Sequence, residues 1–238
     1  MSFTELQKIT SVLAAECDSL SFSPPVQAVY NPLVYAAASY KMYLELAAAS
    51  PKKVIFLGMN PGPYGMTQTG VPFGEIAAVR DWLGINAEVD KPDRQHPKRP
   101  IQGFACTKSE VSGRRLWGLF RERFKTPADF FREHFVANYC PLVFMDQGGA
   151  NITPDKLPAS EAAALFQRCD HALADTISAL KPQWVIGVGG FAKKRIDLLH
   201  GKGFSSAQIL HPSPANPRAN ADWGGEVTRT LVELGVWK

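Results

Sequence analysis

The chain has 238 residues, 45% of them hydrophobic and 20% charged, with a formal net charge of +4. That length suits one domain with a real core, and the composition excludes collagen-like and disordered classes. The mild basic excess permits a polyanionic partner without demanding one. Four cysteines, Cys17, Cys106, Cys140 and Cys169, lie far apart with no Cys-x-x-Cys pair, so neither a zinc or iron–sulfur site nor a disulfide framework is expected. The opening MSFTELQKIT lacks a signal-peptide pattern, and no run is apolar for a membrane-spanning length. An intracellular protein is therefore expected, in cytoplasm or nucleoid if bacterial and in the nucleus if eukaryotic, with no membrane partner.

Leu6, Ile9, Leu13 and Cys17 recur at helical spacing and predict an amphipathic first helix ending before Pro24-Pro25. Asn31-Pro32 opens a turn, and Leu33 to Ala49 reads as a second helix whose tyrosines, Tyr35, Tyr40 and Tyr43, are packing residues. Val54 to Leu57 reads as a short buried strand that breaks at Gly58 into a loop rich in glycine and proline, ending at Glu75. Such a loop at a parallel strand's carboxyl end is where open α/β sheets place ligands. It holds Asn60, Tyr64 and Phe73, an amide and two rings suited to holding and stacking a planar heterocycle. A purely structural turn is the alternative, against which the length and order of the loop argue.

A helix through Val79 and Trp82 to Gly84 follows, then KPDRQHPKRP, whose prolines predict an exposed basic loop, solvated or touching phosphates. SEVSGRRLWGLFRERF starts a helix with Ser109 as its cap and Trp117, Phe120 and Phe124 inward. PADFFREHF is helical and leads into one strand, FVANYCPLVFM. Asn138 there offers a donor and an acceptor together, fit for the edge of a base or for capping a strand end. A polar loop from 146 to 158, a helix from Ser160 to Leu180, and the strand–turn–helix PQWVIGVGGFAKKR follow. Its Gly187, Gly189 and Gly190 only loosely imitate a dinucleotide fingerprint, and could instead bring Lys193, Lys194 and Arg195 to a phosphate. A strand through Ile209 ends at His211, before a proline-broken loop and a last helix from Glu226 to Leu234.

Strands near 54, 138, 185 and 208 alternating with helices predict an α/β fold with a parallel sheet. Parallel strands would bring Asn60, Asn138, the Gly187 loop and His211 to one sheet edge.

GMNPGPYGMTQTGVPFGE and HPSPANPRAN, with SEVSGRRLWG and NYCPLVFM in the same order, resemble the single-strand-selective monofunctional uracil-DNA glycosylases, a family of the uracil-DNA glycosylase superfamily. The resemblance runs from about Tyr30 to Gly235. It implies a single α/β domain over residues 1–238, residues 1–29 being an N-terminal helical extension, with a central, mostly parallel four-stranded sheet flanked by helices. It also implies excision of uracil and of oxidised 5-substituted uracils from single- and double-stranded DNA, by a monomer with no cofactor or metal. By position, Asn60 would hold the hydrolytic water and His211 would contact uracil O2. Asn138 would read the base edge and Phe73 would stack on it, while Met59, Gly62 and Tyr64 would complete the substrate pocket. The segment Ser213, Pro214, Ala215, Asn216, Pro217, Arg218 and Asn220 would contact DNA as a wedge. One departure is Ala215, where a family member carries Arg, with Arg218 a nearby substitute.

An amide cannot act as a general base, so Asn60 can only position water. Neither motif contains a lysine, so no imine with the sugar is expected. Glu75 is expected to bond loop amides, and Gly62 to leave space beside C5 of the base. Two other classes stay open: a damage-binding module that holds uracil without cleaving, and a dinucleotide-dependent oxidoreductase using the Gly187 turn.

Overall fold

The segment VIFLG is buried at every position, as a strand covered on both faces must be, and it forms the middle of the sheet. The computed structural model describes residues 3–48, 51–199 and 203–238. In chain order the strands are β1 (Ala28–Tyr30), β2 (Val54–Gly58), β3 (His134–Asn138), β4 (Val143–Met145), β5 (Asn151–Ile152), β6 (Trp184–Val188) and β7 (Ser205–Ile209). The helices are α1 (Phe3–Asp18), α2 (Pro32–Tyr35), α3 (Ala37–Ala47), α4 (Met66–Thr69), α5 (Val111–Phe124), α6 (Pro127–Phe131), α7 (Ala159–Leu180), α8 (Gly190–Asp197) and α9 (Pro217–Glu233).

The four expected strands form one wholly parallel sheet of order β3-β2-β6-β7, with Val54 opposite His134 and Trp184. All four carboxyl ends therefore lie on one edge. A second sheet, β1-β4-β5, is antiparallel and was not expected. It corrects the reading of FVANYCPLVFM as one strand: Pro141 has no N–H to continue a ladder, and the chain leaves the main sheet after Asn138 to begin β4.

Other boundaries also move. The expected second helix breaks at Ala36 (φ −111°, ψ 28°) into α2 and α3, and Ala49 lies outside the described residues. After Glu75 the helix includes one π-helical turn at Ala78–Trp82. Ser109 does not cap α5; its hydroxyl donates to Glu75 Oε1 at 2.9 Å. The helix in PADFFREHF stops at Phe131, because His134 and Phe135 join the sheet. The last helix begins at Pro217, where Asn216 Oδ1 accepts the Arg218 N–H at 3.1 Å, and it kinks at Asp222. The basic loop is tethered as well as solvated: His96 is buried, and Gln68 Nε2 donates to the Pro100 carbonyl at 3.2 Å.

The main core packs Trp117, Phe120, Phe130 and Phe135 behind the sheet, and α1 lies against α7. Cys17, Cys106, Cys140 and Cys169 are buried free thiols. Among the described residues no helix is long and apolar enough to cross a membrane.

Candidate active site

A cleft of about 250 Å³ opens at the carboxyl edge of the main sheet, lined by Met59, Asn60, Gly62, Phe73, Asn138, His211 and Ser213 among others. The parallel topology delivers these groups: Asn138 ends β3, Asn60 follows β2, and His211 lies two residues beyond β7.

Asn60 Nδ2 donates to the Leu142 carbonyl at 3.3 Å. With the amide nitrogen so engaged, Oδ1 is the atom free to accept a hydrogen bond from water. Asn138 Nδ2 lies 3.2 Å from Met66 Sδ, a soft acceptor that a base carbonyl can replace at little cost. Gly58 makes room for both the amide and the Phe73 ring. A Cβ there would sit 2.5 Å from Asn138 Oδ1 and 2.5 Å from the Phe73 ring.

Phe73 has a left-handed backbone, φ +53°, at a residue type that avoids it. Its surroundings fix that conformation: the Glu75 N–H donates to the Phe73 carbonyl at 2.7 Å, and Trp117 Nε1 donates to the Pro72 carbonyl at 3.1 Å. Strain held by neighbours is characteristic of ligand platforms. Glu75 has a structural role, but not through the loop amides expected of it: it accepts the Ala78 N–H of the following helix at 3.0 Å and the Ser109 hydroxyl.

The His211 ring is 6.3 Å from that of Phe73, tilted by 43°. Its Nδ1 accepts the Ser213 N–H at 3.1 Å, so the neutral ring carries its proton on Nε2. Burial lowers its pKa below the ordinary 6.5, which keeps it neutral at physiological pH. The result is a neutral donor beside the Phe73 ring.

The sequence assigned Tyr64 to the substrate pocket, but its ring does not line the cleft. Its hydroxyl accepts from Arg99 Nη1 at 2.7 Å and Lys108 Nζ at 3.2 Å. Of the expected wedge, only Ser213 reaches the cleft. Pro214 and Ala215 are exposed beside it, the latter's N–H bonded to Ser213 Oγ at 3.2 Å. Asn216, Pro217, Arg218 and Asn220 belong to the start of α9. Arg218 is paired with Glu226 at 2.6 Å, and Asn220 Nδ2 donates to the Pro214 carbonyl at 2.9 Å. Arg115, absent from the sequence-derived set, braces the segment by donating to the Pro212 carbonyl at 3.0 Å and to Asn220 Oδ1 at 2.8 Å.

Glu110 was also missed. Its carboxylate lines the cleft, accepts the Tyr64 N–H at 3.1 Å, and occupies the space where a Cβ on Gly62 would lie. Burial raises its pKa. In sequence it reads only as the acidic neighbour of a helix start. The Gly187 turn serves packing instead: a Cβ there would meet the Lys193 backbone nitrogen at 2.5 Å, and Lys193 is paired with Asp197.

Residues 47–230 match the model of the uracil DNA glycosylase superfamily. The chain belongs to the uracil-DNA glycosylase superfamily. By that membership it is a DNA glycosylase, a hydrolase of N-glycosyl bonds. Superfamily relatives include the single-strand selective monofunctional uracil-DNA glycosylase of Rattus norvegicus, 46% identical over 227 residues, covering 94% of this chain and 82% of the relative. The Mus musculus protein of the same name is 45% identical over 227 residues, covering 94% and 81%. The Bos taurus protein is 46% identical over 224 residues, covering 93% and 82%. Among solved structures, that of wild-type Pedobacter heparinus SMUG2 matches with a TM-score of 0.66 at 14% identity, covering 96% of this chain and 97% of that one. At that identity the likeness carries the fold alone.

Proposed function

We propose that the chain hydrolyses the N-glycosidic bond of uracil in DNA, single-stranded and duplex, and leaves an abasic site for base excision repair. The carrying observation is the convergence of Asn60, Phe73, Asn138 and His211 in one cleft, with His211 Nδ1 accepting the Ser213 N–H. The nucleotide enters flipped out of a stack, at a cost of a few kcal/mol that is smallest in a single strand. Phe73 supports the face of the base. Asn138 turns its amide from Met66 to the base, accepting from N3–H and donating to O4. Cytosine reverses that pattern and leaves both partners unpaired.

As the C1′–N1 bond breaks, its electron pair goes to uracil and charge collects on the N1–O2 side. His211 Nε2–H donates to O2 and stabilises that charge. The sugar becomes oxocarbenium-like, and the water held by Asn60 Oδ1 forms the new C1′–O bond while its proton passes through solvent to the departing uracil anion. Among the described residues no lysine lines the cleft, so this reading takes the route of hydrolysis by water and not an imine. Uracils with polar 5-substituents enter along the Gly62–Glu110 wall, which Asn138 and His211 leave to C5. The chain acts as a monomer and a single domain over residues 1–238, its 1–29 helical extension included, inside the cell. Asn60 and His211, both in place, favour turnover over a module that only binds damage.

The test is a labelled single-stranded oligonucleotide with one uracil, incubated with chelator and then alkali. Strand cleavage only after alkali is expected, and Asn60→Ala and His211→Ala should each abolish it. Binding without any abasic product, on single-stranded, duplex and 5-hydroxymethyluracil substrates alike, would instead identify a binding module.

A further inference from the structure

Tyr64 turns away from the cleft and gathers two cations. Its hydroxyl accepts from Arg99 Nη1 and Lys108 Nζ, and both cationic groups lie over its ring, at 5.4 and 5.0 Å from the centroid. Two positive charges converging on one phenolic oxygen repel each other, and neither forms an ion pair with a carboxylate among the described residues. Glu110 is the carboxylate of this neighbourhood, and it is engaged by the Tyr64 backbone N–H instead.

The cluster is also held in place. Arg99 Nε donates to the Gly149 carbonyl at 2.8 Å, and the Arg99 carbonyl accepts from Tyr30 at 2.8 Å. Gln68 ties the segment to the loop that carries Asn60, through Pro100 and through the Gln102 N–H at 2.8 Å. An arginine fixed this firmly loses little side-chain freedom on binding, and its fork suits a phosphate. An anion placed between the two cations would relieve their repulsion.

Tyr64 sits between Gly62 and Gly65, which both line the cleft. We infer that Arg99 and Lys108, gathered on Tyr64, form a binding site for a backbone phosphate of the DNA strand flanking the flipped nucleotide, beside the Gly62–Gly65 side of the cleft. The inference rests on the glycosylase reading for the identity of the polyanion. The site would hold the strand without reading its sequence, as phosphate contacts do.

The experiment uses the full chain and its variants Arg99→Gln, Lys108→Gln and Tyr64→Phe. KM and kcat on single-stranded uracil DNA, and Kd for an undamaged oligonucleotide of the same length, are measured across a salt series. Each charge removal should lower the slope of log affinity against log salt by about 0.7 and raise KM about 5- to 10-fold, as loss of one phosphate contact does. kcat should change less than twofold. Tyr64→Phe, which keeps the ring and both charges, should leave the slope unaltered while weakening binding less. Unaltered slopes and KM in both charge variants would overturn the site, as would losses confined to kcat. A wild-type chain that binds DNA with these slope changes but never releases uracil would overturn the glycosylase reading and leave the phosphate site standing.

Discussion

Replacing Gly58 with alanine adds one methyl group at the point where the Asn138 amide and the Phe73 ring meet. The position lies within β2, so its backbone accepts alanine without strain, and the effect is purely steric. The new Cβ would stand 2.5 Å from both Asn138 Oδ1 and the Phe73 ring, whereas ordinary contact begins near 3.4 Å. The amide and the ring must together clear 3.4 − 2.5, or 0.9 Å, each at its own contact. Neither neighbour yields easily: Asn138 belongs to β3, and Phe73 is held by Glu75 and Trp117. A misplacement of about 1 Å costs on the order of 100-fold in rate, and overpacking costs about 1–3 kcal/mol of stability. Gly58→Ala should therefore fold with a lowered Tm and lose about 100-fold in kcat/KM on single-stranded uracil DNA, at a temperature where it remains folded. A variant within threefold of wild type would refute the view that Gly58 sets the spacing of Asn138 and Phe73.

The pH profile of kcat should stay flat from pH 8 to 6.5 and fall only at lower pH, because His211 has a pKa depressed below 6.5 and must remain neutral to keep the Ser213 N–H on Nδ1. A rate that rises as pH drops through 6.5 would mean that an imidazolium does the work. His134 is buried with Nδ1 facing the Phe130 carbonyl and Nε2 accepting from Trp237 at 3.2 Å, and burial lowers its pKa to about 4. The unfolded chain takes up this proton below pH 6.5 and the folded chain only near 4, so stability should decline between those values. The contribution is about 3 kcal/mol, read as the difference in pH dependence between wild type and His134→Asn in urea unfolding; identical dependences would contradict it. Gly62→Phe should lose 5-hydroxymethyluracil excision before uracil excision, since its side chain displaces the Glu110 carboxylate. Equal loss on both substrates would remove C5 discrimination from that wall.

The main sheet was legible because Val54–Leu57 and Trp184–Val188 are apolar runs long enough to show as buried strands. The second sheet was not, because strands of three, three and two residues are too short to display a period. The helix break at Ala36 lies in an alanine-rich stretch whose propensity says nothing of it. Asn216-Pro217 carried a helix-start signal, but the Gly224-Gly225 pair downstream obscured it. At the site, strand ends delivered Asn60, Asn138 and His211 together, and those three followed from topology alone. Tyr64 was misplaced because its direction is set by Arg99 and Lys108, 35 and 44 residues away in the chain. Glu110 and Arg115 act through contacts with Gly62 and Asn220 that no local pattern encodes.

The carbonyl that accepts from Asn60 Nδ2 belongs to Leu142, the residue just before β4, so the small sheet bears directly on how the Asn60 amide is oriented. Short ladders of this kind open at lower free energy than a central parallel sheet. On gentle heating, amide exchange at Val143 and Phe144 should quicken and turnover should fade while the helical signal is still intact. Durability of activity and durability of the fold would then be separate properties in this enzyme, and strengthening the β1–β4 pairing would extend the first without touching the second.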